Sequence, residues 1–224
     1  MLLLALDTAS ASVSVALHDG AQVLAVRAGA SSPRHVELLT PLIGEVLAEV
    51  GAKPSDLTVI AAGVGPGPFT GLRVGLVSAA VLAMALEIEV LGVCSLDAVA
   101  AGAVRGGVTA PEFLVATDAR RREVYWARYR LDPPAGDSRS WPVRVDGPHV
   151  AAAGDVPRAG LPVAGRGVEL YPAELGPIIL PLDPPAAELA ALAVLGAPYL
   201  MPAGPLYLRR PDAQTPGARK RVSP

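Results

Sequence analysis

The sequence predicts an α/β protein of two lobes, with mixed sheets flanked by helices. Three observations predict it. Short apolar runs of strand character alternate with two long segments of helical periodicity. The run GPGPFTGLRVG, Gly65 to Gly75, joins an apolar strand to an apolar helix through a hard corner. Proline content changes abruptly: five of 23 prolines lie in residues 1–110 and 18 lie beyond, dividing a regular first half from an irregular second.

Leu2–Leu6 reads as a buried strand. Val13, Val15 and Leu17 alternate with small polar residues and give a second strand. Asp19-Gly20 is a hairpin signal, and Val23–Val26 is the return strand. Ser32-Pro33 then reads as a cap and first helical position. Val36, Leu39, Leu42, Ile43, Val46, Leu47 and Val50 recur with helical spacing; Pro41 should kink that helix and Gly51 end it. Thr58–Val64 is a fourth strand, Thr70–Leu86 a helix capped by Thr70, and Val90–Val93 a fifth strand. Ser95 and Asp97 are placed to cap a short helix, Leu96–Ala103. Three antiparallel strands, a helix, a strand, a helix and a strand describe a ribonuclease-H-like lobe.

The second half restarts the pattern. Phe113–Thr117 and Val124–Tyr129 are strands joined by a turn at Asp118–Arg122. Residues 131–185 are broken by prolines and hold short strands at best. Asp183-Pro184 opens a helix over Pro185–Leu195. The expected division is a first lobe at 1–108, a smaller second lobe at 109–208, and a basic, Pro-rich, mobile tail at 209–224.

With 224 residues, half of them hydrophobic, the chain can bury a sizeable core. A net charge of −2 gives no overall basic field. Cys94 is the only cysteine, which excludes an intrachain disulfide framework or a cysteine zinc cluster. No signal peptide is visible, and Val74–Leu86 falls short of the ~20 residues that span a bilayer. A cytoplasmic protein with no membrane association is expected. Seventeen Arg against Lys53 and Lys220 reads as genome composition.

Candidate chemistry is sparse. Asp7 ends the first strand, where a metal-associated carboxylate sits in actin-like ATPases; the competing and favoured reading is a turn-forming Asp, because Thr8-Ala9-Ser10 supplies no glycine. The Gly65 loop is no Walker loop, since no Lys follows it, and Pro66 and Pro68 remove N–H donors. Gly65, Gly67, Gly71 and Gly75 are read as a structural corner that permits close packing. His18, His35 and His149 form no ligand pair, and Cys94 has no nominated base. No catalytic residue, metal or cofactor is assigned. Arg120, Arg121 and Arg122 crowd a turn beside Tyr125, Trp126 and Tyr129. Two readings stand there, an RNA contact and a solvated turn. The helix from Leu72 to Leu86 is apolar nearly all round and needs cover on both sides, from its own chain or from a partner.

LDTAS, SPRHVELLTPLI, GPGPFTGLRVG and DARRREVYWARY, in this order, resemble the TsaB (YeaZ) family. The resemblance covers the first lobe and the start of the second, and thins after Leu131. It implies two actin-like lobes and kinship with TsaD, the catalytic subunit that works with TsaE to install threonylcarbamoyl on the adenosine beside the anticodon of tRNAs reading codons that start with A. It implies a non-catalytic partner that pairs with TsaD, or with itself, through first-lobe helices. Helical spacing nominates Val36, Leu39, Ile43, Leu72, Leu76 and Ala79 for the contact, with Leu72→Arg or Leu76→Arg expected to break the pair without unfolding the chain. The alternatives are an ATPase or metallopeptidase of the same fold, and a direct tRNA-binding module using Arg120–Arg122.

Overall fold

The computed structural model describes residues 1–29, 35–132 and 140–209. β1 (Leu3–Asp7), β2 (Val13–His18) and β3 (Val23–Gly29) form an antiparallel meander. β4 (Val59–Gly63) joins β1 in parallel, and β5 (Glu89–Val93) joins β4 in parallel. The order 3-2-1-4-5 is that of the ribonuclease-H-like lobe. Successive side chains of β1 point to opposite faces, and both faces are covered. Leu4 and Leu6 meet Leu39, Val46, Leu72 and Leu76 of α1 (His35–Glu49) and α2 (Phe69–Leu86). Leu3 and Ala5 meet Ala98 and Ala101 of α3 (Ser95–Arg105) on the other side.

The second sheet has the order β8-β7-β6-β9. β6 (Glu112–Asp118), β7 (Glu123–Asp132) and β8 (Trp141–Ala152) are antiparallel, and β9 (Val163–Ala164) runs parallel to β6. Two short helices follow, α4 (Arg166–Leu170) and α5 (Pro172–Leu175). The chain then returns to the first sheet. α6 (Ala186–Leu195) lays Ala186, Leu189 and Ala190 over Leu3 and Ala5, and β10 (Leu200–Met201) pairs with β5. Sheet membership therefore does not follow a cut at residue 108, because two elements within 109–208 complete the first sheet and its back face.

Several local expectations need correction. β8 is a twelve-residue strand inside the stretch expected to hold only short ones; Pro142 and Pro148 are tolerated because β8 is an edge strand. The helix stop, in contrast, is as expected: Gly51, at φ +68°, closes α1 with the Ala52 N–H on the Leu47 carbonyl, and Pro41 lies exposed inside that helix. Thr70 is not a cap: α2 begins at Phe69, with Pro68 before it at φ −59° accepting from the Leu72 N–H. Ser95 and Asp97 lie inside α3 and do not cap it, since both side chains are engaged elsewhere. Ser32-Pro33 and all of the tail except Arg209 lie outside the described residues.

The glycine corner has a specific mechanical reason. The Thr8 hydroxyl donates to the Gly71 carbonyl at 2.7 Å and accepts from the Gly75 N–H at 3.0 Å. Those are the two groups that an α-helix bonds to each other, so the end of β1 is keyed into the first turns of α2. A Cβ on Gly75 would stand 2.5 Å from the Thr8 oxygen, and one on Gly67 would stand 2.1 Å from the Ala9 carbonyl oxygen. Gly65 turns the chain at φ +90°.

Gly75→Ala is expected to destabilise the fold by about 1–3 kcal/mol through overpacking. Adding Thr8→Ala should recover part of that loss, read as a non-additive pair of urea midpoints. Additive losses would show that Thr8 is not what the methyl group meets.

Candidate functional site

α2 is the element with the most to explain. Gly71, Leu72, Gly75, Leu76, Ala79 and Ala83 face the sheet and are buried. The opposite face is apolar and bare: Val77 is 60% exposed, Val81 54% and Met84 76%. These three lie at helical spacings of four and three, with Ala80 and Ala85 exposed beside them. Among the described residues α2 is the one helix whose length and composition would allow it to cross a membrane, yet its inner side is packed on β1 and β4.

This geometry corrects the nominated contact set. Leu39, Leu72, Leu76 and Ala79 lie in the chain's own core, and Ile43 is packed against it. Helical spacing finds a stripe but not its direction, and the face of α2 that carries Leu72, Leu76 and Ala79 is the one packed on β1 and β4. The side chain of Val36 lies outside the described residues. Leu72→Arg or Leu76→Arg is therefore a core lesion and not a surface test. The close approach at Gly71 and Gly75 is to Thr8 of the same chain.

Between the two sheets lies a cavity of about 230 Å³. Ser10, Pro66, Pro68 and Ser95 line it from the first sheet's side, and Thr117, Asp118, Arg120, Arg166 and Asp183 from the other. Its polar groups are largely committed to one another. The Arg166 guanidinium donates from Nε to Asp183 Oδ1 at 3.0 Å, pairs with Asp183 Oδ2, and donates to Glu169 Oε2 at 2.6 Å. These carboxylates hold Arg166 above its ordinary pKa.

Asp7 lies behind this cavity, fully buried. Its Oδ1 accepts from the Ala9 N–H at 2.8 Å, and its Oδ2 accepts from the Ser95 hydroxyl at 2.5 Å. Ser95 in turn accepts from the Gly65 N–H at 3.1 Å. Burial pushes the Asp7 carboxyl up to about 6, against the lowering effect of those donors. The Ala9 turn is the Asx-type arrangement favoured from the sequence; the Ser95 link to β4 and α3 was not visible there.

A second buried group joins the sheets. Tyr129 of β7 donates to Asp97 of α3 at 2.7 Å, and Arg144 of β8 lies 3.6 Å from the same carboxylate. Cys94 is fully buried beside them, and burial pushes its thiol up to about 12, far from the range of a nucleophile. The Asp97 carboxyl is raised too, again chiefly by burial. Among the described residues no group of three or more His, Cys, Asp or Glu is placed to hold a metal ion.

The arginine turn is unusual. Arg120, Arg121 and Arg122 take φ of 62°, 55° and 62°, three successive non-glycine residues in the left-handed region. The turn is held by the Arg120 N–H on Asp118 Oδ1 at 2.7 Å, by backbone bonds between Glu123 and both Ala119 and Arg120, and by Arg209, which donates to the Ala119 carbonyl at 2.9 Å and pairs with Glu123. Tyr125, Trp126 and Tyr129 are buried and offer no stacking platform. Alternation along β7 sends them into the cores on the two faces of the sheet.

The chain resembles known proteins in both sequence and structure. A family model described as TsaD, tRNA N6-adenosine threonylcarbamoyltransferase, matches residues 28–138. An uncharacterized protein of Mycobacterium tuberculosis is 45% identical over 215 residues, covering 94% of this chain and 93% of that one. The tRNA threonylcarbamoyladenosine biosynthesis protein TsaB of Escherichia coli is 39% identical over 133 residues, 59% of this chain and 56% of that protein. The structure of YeaZ from Pseudomonas aeruginosa superposes with a TM-score of 0.75 at 31% identity, covering 92% of this chain and 99% of that one. Full-length agreement with YeaZ in fold and sequence, together with the matching TsaB segment, leads to one conclusion: the chain belongs to the TsaB (YeaZ) family.

Proposed function

We propose that this protein is a non-catalytic cytoplasmic subunit in tRNA threonylcarbamoyladenosine biosynthesis. In this reading it docks on a TsaD-like catalytic subunit and supports its activity alongside a TsaE-like ATPase. The observation that carries the reading is the bare stripe of α2, Val77, Val81 and Met84. A soluble surface keeps such a stripe when another polypeptide covers it. The match of residues 28–138 to a TsaD model supports a partner of related fold, which can offer an equivalent helix. Ala80 and Ala85 keep the face low enough for two helices to pack closely. Alone, the chain pairs with itself through the same stripe, so the self-dimer and the heterodimer compete.

The non-catalytic part of the reading is supported by how the cleft groups are used. Asp7 ties the end of β1 to Ala9 and Ser95, and Arg166 is held by two carboxylates. Each has a structural task that a reaction would disturb.

Val77→Arg or Met84→Arg should abolish the heterodimer, measured as mass by light scattering, while circular dichroism stays native. Leu72→Arg should lose the native spectrum instead. Heterodimer surviving both surface changes would remove the assignment of this face.

Asp7→Asn should leave the tRNA product made by the mixed subunits within about twofold, since Asp7 takes no part in chemistry here. It should change the pH dependence of stability. Folded Asp7 holds its proton up to about pH 6, whereas the unfolded side chain releases it near 3.8. The native state therefore binds more protons in that window, and stability falls as pH rises through it. Denaturation midpoints at pH 4 and pH 7 should show that fall in the wild type and a smaller one in the variant. A hundredfold loss of product with native stability would make Asp7 a reaction group.

A further inference from the structure

The inter-sheet cavity holds a polar group that the fold leaves unserved. Thr117, at the end of β6, is 8% exposed and lines that cavity. Its hydroxyl has no hydrogen-bond partner among the described residues, whereas the neighbouring Ser95 hydroxyl is bonded to both Asp7 and Gly65. Burying a hydroxyl without a partner is costly, so this one points to a partner that enters the cavity.

The cavity lies beyond the carboxyl ends of three parallel strands. Ser10 follows β1, Pro66 and Pro68 follow β4, and Ser95 and Leu96 follow β5. Open α/β sheets take their ligands at that end. α2 begins at the same wall, after Pro68, with no side chain capping its first turn and no acidic residue in it. Its first N–H groups and the positive end of its dipole therefore favour an anionic group there.

A simple anion would nevertheless enter beside three carboxylates, Asp118 and Asp183 in the wall and Asp7 behind it, with only Arg120 and Arg166 as cations. Both arginines are already engaged, Arg120 by Asp118 and Arg166 by Asp183. The two carboxylates keep spare capacity. Asp183 accepts one Arg166 N–H on each oxygen, and Asp118 accepts the Arg120 N–H on Oδ1 and pairs with the Arg120 side chain through Oδ2. A carboxylate has about four lone-pair sites, so each can still accept from an ammonium. A ligand carrying both charges meets both demands and leaves the charge of the cavity unchanged. The volume, about 230 Å³, is below the roughly 300–1,000 Å³ of pockets that enclose drug-sized ligands, and Ala9, Ala11, Leu96 and Leu170 make the rest of the wall apolar.

We propose that this cavity binds a free α-amino acid with a small, uncharged side chain. The carboxylate lies at the start of α2 and accepts from the Thr117 hydroxyl. The ammonium donates to Asp118 and Asp183, and the side chain meets the apolar wall. The site is separate from the docking face, which begins about two turns further along α2 at Val77.

The test titrates the full chain, without any partner, with glycine, L-alanine, L-serine, L-threonine and L-valine by isothermal calorimetry. At least one should bind one-to-one and saturate below about 10 mM. The matching carboxylic acid, which lacks the ammonium, and the matching amine, which lacks the carboxylate, should each bind about tenfold more weakly or worse. Thr117→Val should weaken the amino acid about tenfold while the urea midpoint stays at or above that of the wild type, because the lost hydroxyl has no partner in the free chain. Should that variant misfold, amide NMR shifts of the wild type decide the location: they should centre on Ser10, Ser95 and Thr117. Failure of all five to saturate overturns the proposal. So does inorganic phosphate or the carboxylic acid binding as tightly as the amino acid, which would make the cavity a plain anion site. Full affinity in a folded Thr117→Val variant, or shifts centred elsewhere, also overturns it.

Discussion

The Thr8 hydroxyl is the joint on which this molecule depends. It stands between a carbonyl and an amide of α2 that would otherwise face only each other, and it does so from the last residues of the central strand. One residue earlier, Asp7 fixes the same strand end to Ser95, and through Ser95 to the Gly65 turn. β1, β4, α2 and α3 therefore converge on two adjacent side chains. The requirement for Gly63 and Gly75 follows from that convergence, because a methyl group on Gly63 would stand 1.8 Å from Asp7 Oδ2 and one on Gly75 2.5 Å from the Thr8 oxygen.

That joint also decides which side of α2 is available. Once Gly71 and Gly75 are turned toward Thr8, Leu72, Leu76 and Ala79 enter the core and Val77, Val81 and Met84 are turned out. The interior contact and the proposed docking face are thus opposite sides of one rotation. The polar groups of the cleft are fixed in the same way. A carboxylate at a strand end serves as a tie, its pKa raised by burial, and the cation opposite it is neutralised by its own neighbours.

Much of this was legible in the sequence. Alternation in Val13–Leu17 and the apolar run at Leu2–Leu6 marked the meander, and the glycine corner marked the step from β4 into α2. The direction of α2 was not legible, because a helix apolar on all sides has no pattern that points inward. The length of β8 was hidden by Pro142 and Pro148, whose penalty applies only where a neighbour needs the missing N–H. Ser95 and Asp97 looked like caps because their type and position suit capping. Their actual partners, Asp7 and Tyr129, are 88 and 32 residues away, a distance that local reading does not span. The aromatics of β7 could be read as a stacking surface or, the favoured reading, as a core strand; the pleat of the strand places them in the core.

The return of α6 and β10 to the first sheet bears on how the polypeptide is made. Leu3, Ala5 and Ala61 lie against Ala186, Leu189 and Ala190, residues that leave the ribosome some 180 positions after β1. During translation the back of the central sheet has only α3 to cover it until the last part of the chain arrives. Loop-closure entropy and exposed apolar surface both weigh on that interval. The N-terminal half is thus a poor candidate for independent expression, and the nascent chain is a natural client for chaperones.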